Sequence, residues 1–323
     1  MEDFWVEELR PKPLSGDGEH WIVRLEKRDM TTDQLAHQLA KRVGISRGDV
    51  GYAGLKDRQG VTLQDFSLHL PGKELPKGWQ EGLPAGVVVR DIGRDRRKIK
   101  PGMLSGNAFT IRLRGCGVAL AEEERAQSVR LIADEINQFG VPNFFGPQRF
   151  GRDGDNVAEG LKQLRRGRKG RRGDRHKRGI LLSAVRSDLF NRLLAARMQE
   201  GLFKQLLPGD VAQLAGRTGA FLVEDFESEH TRFEAKEIHP SGPLFGSHML
   251  LPEGRAGEME RSLMEQESET IELLEKNGMK GARRALRLFP SDFGQQWEGS
   301  DLILTFTLPR GCYATSVVRE FLK

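Results

Sequence analysis

The two ends of this chain share a strand-like texture that its middle lacks, and a basic run separates them. His20 to Lys27 alternates Trp21, Val23 and Leu25 with polar partners, the period of a half-buried strand. Gln64 to Leu70, Gly86 to Ile92 and Asn107 to Arg114 read as further strands, and Asp301 to Leu308 alternates strongly near the other end. Thr31 and Thr32 offer a cap before Leu35, Ala36, Leu39, Ala40 and Val43, a helical face stopped by Gly44. Ala121 to Phe139 predicts a second helix, with acids in its first turn and Gly140 at its end. Ser187 to Glu200 and the charged stretch Glu258 to Asn277 predict two more, on either side of a Gly- and Pro-containing stretch from Leu207 to Gly246. Strands and helices mix without regular alternation, which favours an α+β sheet protein over a doubly wound one.

The break lies between Leu164 and Ile180. Arg165 to Arg178 carries nine Lys/Arg against one Asp, so it cannot enter a core, and its glycines argue against a stable helix. A solvated loop is expected, or a phosphate-binding arm that orders on RNA. If the strand-rich ends pair with each other, they enclose the middle as a second domain. The expected division is 1–168 with 289–323, and 169–288 inserted between them.

At 323 residues and a formal charge of +5, the chain is long enough for two domains and only mildly basic. Cys116 and Cys312 stand far apart with no Cys-x-x-Cys spacing, which suggests a reducing cytoplasm. No apolar run approaches membrane-spanning length, and the acidic Met1 to Trp5 start lacks a signal region. Phosphate-binding and dinucleotide-binding glycine loops, His-x-x-x-His zinc spacing and a G-x-S-x-G elbow are all missing. The seven histidines are scattered, so no metal site is expected.

Two stretches carry candidate chemistry. In Gly51 to Gly60, Asp57 sits between Lys56 and Arg58, with glycines at 51, 54 and 60. Flanking cations favour an ionised carboxylate, and a charged carboxylate on an approachable loop suits nucleophilic catalysis. A hairpin turn with solvated charges is the alternative. In Val141 to Gly151, amides, aromatics, glycine and Arg149 stand together. Asn143 can hydrogen-bond a base edge, a phenylalanine can stack on a base, and Arg149 can hold a phosphate. At least two of Phe144, Phe145 and Phe150 are expected in the core.

The sequence resembles the tRNA pseudouridine synthase D (TruD) family through almost its whole length. The resemblance is carried by Glu2-Asp3-Phe4, Gly54-Leu55-Lys56-Asp57, Gly106-Asn107-Ala108-Phe109-Thr110, Pro142 to Gly151, Leu189-Phe190-Asn191 and Ala314 to Glu320. It implies the pseudouridine synthase fold: a mixed, largely antiparallel sheet with flanking helices, permuted, and interrupted by an inserted family-specific α+β domain. It implies isomerisation of a uridine in tRNA, at position 13 in bacteria, with no cofactor and no metal. Asp57 matches the family's catalytic aspartate, and attack at the ribose C1′ and proton abstraction from the sugar both remain open. Phe4, Asn143 and Tyr313, the last in a C-terminal strand region, match substrate-pocket positions; Lys56 and Arg149 are expected substrate contacts from their own charge. The expected partner is tRNA, with no membrane, and the expected state is a cytoplasmic monomer. Relatives often have phenylalanine at the place of Tyr313, and they carry a stretch with a lysine ahead of their E-D-F motif. Here that motif opens the sequence, so an edge of the pocket is expected to be incomplete. The alternative is a catalytically impaired RNA-binding protein of the same fold.

Overall fold

A computed structural model describes residues 2–119, 121–151, 153–167 and 175–322. In chain order the elements are β1 Phe4–Leu9, β2 His20–Lys27, α1 Thr32–Val43, β3 Val50–Tyr52, β4 Val61–His69, β5 Val87–Asp95 and β6 Gly106–Leu113. Next come α2 Glu122–Phe139, β7 Val141–Pro142, α3 Asn156–Arg166, α4 Arg175–Gln199, β8 Val211–Leu214, β9 Ala220–Leu222, α5 Phe226–Glu234 and β10 Ile238–Leu244. The chain finishes with α6 Gly254–Gln266, α7 Ser268–Lys276, β11 Ala282–Ala285, β12 Arg287–Leu288, β13 Ser291–Glu298, β14 Asp301–Pro309 and α8 Ala314–Glu320. This is an α+β chain, as its unalternating pattern predicts.

Two compact units divide it: 1–129 with 290–311, and 130–289 with 312–323. The first holds an eight-stranded sheet in the order β13-β14-β6-β1-β4-β2-β5, with β3 paired to β4. The β1–β4 pair is parallel and the other pairs are antiparallel. The strand-rich ends do pair: β14 lies along β6 with Leu304 opposite Ile111 and Phe306 opposite Phe109. Helix α1 starts at a capping box, in which Thr31 accepts from the Gln34 N–H and Gln34 accepts from the Thr31 N–H. It stops at Gly44, whose φ of 72° suits glycine. Its apolar face, Leu35 to Val43, buries against Val23, Leu25, Phe66 and Leu68 of the sheet.

The second unit packs α3, α4, α6 and α7 around Leu164, Leu182, Val185, Leu189, Leu263 and Leu274, beside a sheet ordered β11-β10-β8-β9. Strand β10 contains Pro240 and Pro243. It pairs with β8 over Ile238 to Pro240 and with β11 over Ser241 to Leu244. Each half is therefore paired on one side, which is how a strand inside the sheet order tolerates two missing N–H donors. The short β12–β7 pair lies apart, with Leu288 opposite Val141.

Three elements differ from expectation. Residues 168–174 of the expected arm lie outside the described residues, but its edges are helical: Arg165 and Arg166 end α3, and α4 begins at Arg175. Leu181, Leu182 and Val185 are buried, so packing sustains α4 toward its basic end, where Arg178 bonds the Gly167 carbonyl and the Asn277 side chain. The single helix expected over 258–277 is two, broken at Glu267 with φ −116° and ψ 23°. The break lets Leu263 and Leu274 reach one cluster. Tyr313 lies at a helix start, not in a strand, because Gly311 turns the chain into α8. Leu164 of α3 packs with α4, α6 and α7.

A buried ion pair ties the second unit together. Arg197 of α4 donates to both oxygens of Asp210 at 2.7 Å, and Asp210 also accepts from the Leu207 N–H. Asp210→Ala leaves a buried guanidinium unpaired. It is expected to lower stability by about 3–5 kcal/mol, read as an earlier midpoint in urea unfolding.

Candidate active site

Asp57 lies on the loop between β3 and β4, and its side chain is exposed. The loop is clamped from below by polar groups on four elements. Lys56 N–H donates to Oγ1 of Thr32, the first residue of α1, at 2.9 Å, and that hydroxyl donates to Gln64 Oε1 of β4 at 3.0 Å. The Gln64 amide then donates to the Gly54 carbonyl at 2.6 Å and to Glu8 Oε2 of β1 at 3.3 Å. Lys56 Nζ lies 3.1 Å from the same Glu8 oxygen and donates to Asn107 Oδ1 of β6 at 2.5 Å. Burial pushes the Glu8 carboxyl above its ordinary range, against the lowering effect of the Lys56 charge and hydrogen bond.

Neither sequence neighbour of Asp57 pairs with it. Lys56 turns inward to Glu8, and Arg58 turns outward to Asp29 at 2.8 Å. Residues two apart share a face of an extended strand, so the bend that begins at Arg58 is what sends the two cations apart. Phe4, at the start of β1, packs beside the loop's last residue: a Cβ on Gly60 would lie 2.8 Å from Phe4 Cδ1. The Phe4 ring also meets Phe109 at 6.2 Å between centroids. Thus Phe4, Lys56 and Asp57 are gathered in the first unit, together with Asn107 from the Gly106 to Thr110 motif.

The other predicted residues gather in the second unit around Phe145. Tyr313 meets the Phe145 ring edge-on at 6.0 Å, and the Arg149 and Arg284 guanidinium carbons lie 5.3 and 4.1 Å from its centroid. Asn143 is buried, its amide donating to the Ala285 carbonyl at 2.8 Å and accepting from Arg284 at 2.5 Å. Phe145 exchanges two bonds with the Asn191 side chain, its N–H donating at 2.9 Å and its carbonyl accepting at 3.1 Å. Ser316 donates to the Phe144 carbonyl at 3.3 Å, and Arg319 lies over the Phe144 ring. Phe145 is core, while Phe144 and Phe150 are partly buried against it.

Sequence reasoning passes over several of these supports. Glu8, Lys27, Gln64, Arg284 and Arg287 are polar residues at buried or nearly buried strand positions, where alternation alone predicts apolar ones. Lys27 Nζ donates to the main-chain carbonyl of Asp57 at 3.0 Å. Arg287 donates to His239 Nδ1 at 3.1 Å; burial first, and the Arg287 charge second, push His239 down to about 4, so the ring nitrogen stays a neutral acceptor. The legible signal was the charge itself, placed in an otherwise apolar strand.

A family model described as tRNA pseudouridine synthase D (TruD) matches residues 1–159 and 174–321. The chain belongs to the tRNA pseudouridine synthase D family. It is 42% identical to the family's protein from Methylococcus capsulatus, covering 100% of this chain and 89% of that one. The relative from Haemophilus influenzae is 40% identical over 98% of this chain and 91% of its own. A solved structure of a candidate tRNA pseudouridine synthase D from Methanosarcina mazei superposes with a TM-score of 0.76 at 22% identity, covering 99% and 91% of the two chains. That likeness establishes the pseudouridine synthase fold. Six motifs carry the family resemblance. The three from the first half of the first unit meet at the Asp57 loop, and the other three meet at Phe144 and Phe145.

The Glu8–Lys56 contact yields a stability prediction. Lys56→Met leaves the buried Glu8 carboxylate uncompensated and is expected to cost about 3–5 kcal/mol at neutral pH. Because the Glu8 pKa is raised in the folded state, folded protein holds more protons than unfolded above the ordinary carboxylate range. The variant's stability should therefore decline as pH rises through the raised Glu8 pKa, measured by denaturant unfolding at several pH values.

Proposed function

We propose that this protein isomerises a uridine of tRNA to pseudouridine, with Asp57 as the catalytic carboxylate and position 13 as the target. The observation that carries the reading is the Asp57 loop. Its carboxylate is exposed, while its neighbours on the loop are tied to Thr32, Gln64, Glu8 and Asn107. A charged group held on an otherwise clamped loop is preorganised for reaction at a bound sugar.

The chemistry needs no net redox change and no external group. The N1–C1′ bond breaks, the freed uracil turns, and a C5–C1′ bond forms; C5 then loses its proton and N1 gains one. Asp57 acts on the ribose, as nucleophile at C1′ or as the base that begins elimination. The uridine must leave its stack, at a cost of a few kcal/mol that aromatic stacking offsets. In the first unit Phe4 supplies an aromatic face; in the second Tyr313 supplies another, Arg149 a cation for phosphate, and Asn143, whose amide already meets Arg284 and the Ala285 carbonyl, orders the residues around Phe145. Lys56 contributes through the loop it anchors. On this reading residues 1–168 and 289–323 form the catalytic domain around an insertion at 169–288. The protein acts on tRNA as a cytoplasmic monomer without metal or cofactor. Among the described residues, no helix is long and apolar enough to cross a membrane.

Purified protein incubated with unmodified tRNA transcript should yield a carbodiimide-dependent primer-extension stop at one uridine. Asp57→Asn should lower its rate of appearance by roughly three orders of magnitude while tRNA is still bound. An equal stop with the variant removes Asp57 from the mechanism. Neutralising the basic run at 165–178 should weaken tRNA binding and flatten its dependence on salt, as read by filter binding across a salt series.

A further inference from the structure

Both cations beside Asp57 in sequence are engaged elsewhere, Lys56 with Glu8 and Arg58 with Asp29. A third cation lies beneath the loop. Lys27, the last residue of β2, is 0% exposed and is among the largest fully buried side chains of the described residues. Its ammonium donates to the main-chain carbonyl of Met30 at 2.7 Å and to that of Asp57 at 3.0 Å. Both acceptors are neutral, and among the described residues no carboxylate forms an ion pair with it. Its partners across the strands, Thr62 of β4 and Val87 of β5, carry no charge.

For folding alone this is a poor use of the position. A buried ammonium without a counter-ion is costly, and a methionine of similar length fills the space without that cost. The burial pushes Lys27 down to about 8. The Asp57 charge acts in the opposite sense, favouring the ammonium, and the Lys56 charge opposes it. Lys27 and Asp57 are thus coupled, and among the described residues no other cation hydrogen-bonds the Asp57 residue.

We infer that Lys27 is a positioning residue for Asp57: its ammonium, bonded to the Asp57 main-chain carbonyl, holds that stretch of the loop in place from its buried side. The inference rests on the synthase reading and deepens it. A donor on the buried side fixes the Asp57 main chain without touching the substrate. The bond is charge-assisted only while Lys27 is protonated. Catalysis should then fall as pH rises through about 8, where the folded protein gives up this proton.

The test uses full-length protein, C5-tritiated tRNA transcript and single-turnover tritium release from mildly acidic to alkaline pH, with tRNA binding and thermal unfolding measured in parallel. Lys27→Met is expected to release tritium roughly 10- to 100-fold more slowly at neutral pH, with Kd within about twofold of wild type and unfolding no earlier. Its residual rate should lack the alkaline fall seen in wild type. Titration of the uracil itself affects both proteins alike and drops out of the comparison. An unchanged rate, a loss that appears in Kd, an earlier unfolding, or the same alkaline fall in both proteins would each overturn the inference. Asp57→Asn, run beside it, separates the two claims. If that variant still forms pseudouridine, the catalytic reading fails. If it is inactive while Lys27→Met matches wild type, Lys27 alone loses its role.

Discussion

The buried contact between Lys56 and Glu8 is the constraint from which the first unit's candidate chemistry hangs. It draws one residue of an exposed loop into the sheet and leaves the next, Asp57, facing outward. A lone ion pair in that position is expensive to desolvate, and hydrogen bonds from Gln64 to Glu8 and from Lys56 to Asn107 complete the coordination that makes it tolerable. The pair spans three elements: β1 supplies Glu8, β6 supplies Asn107, and the loop supplies Lys56. A shift of any of these would move the loop. Strand order matters for this reason, since β1 lies between β6 and β4 and brings Glu8 beside both Asn107 and Gln64.

The second unit solves a different problem with similar means. Asn143 has to sit in an apolar neighbourhood, so its amide is met by Arg284 and by the Ala285 carbonyl. The run from Arg283 to Arg287 holds three buried or nearly buried arginines with three distinct jobs. Arg283 pairs with Glu260, Arg284 holds Asn143 and lies on Phe145, and Arg287 holds His239 and two main-chain carbonyls. Arginine suits such places because its planar fork directs several bonds at once and its face stacks on aromatic rings. The Asn191 side chain does for Phe145 what a neighbouring strand would do, satisfying both main-chain groups of a segment outside any sheet.

Elements with strong local signals were legible in order. Helix α1 could be read from Thr31, its apolar spacing and Gly44, and β14 from alternation over Asp301 to Leu308, because cap, period and stop all lie within the segment itself. The break at Glu267 could not, since a continuous charged amphipathic pattern runs across it and the turn follows from how Leu263 and Leu274 pack. Strand β10 was hidden by its prolines, which are harmless only because its two halves pair on different sides. In the candidate site, Asp57 stood out by its flanking charges. The direction in which those charges point did not, as it depends on Glu8 and Asp29, each more than twenty-five residues away in sequence.

By itself the sequence determined the α+β class, the pairing potential of its strand-rich ends, and the residue types available for work on a nucleic acid base. These follow from periodicity, capping and motif spacing, all local properties. Tertiary structure alone decided what each polar side chain is for. It turned Lys56 from a neighbour of Asp57 into the anchor of its loop and placed Lys27 beneath that loop. The physical reason is that the worth of a charge depends on its burial and its partners, and both are set by strands and helices that meet only when the chain has folded.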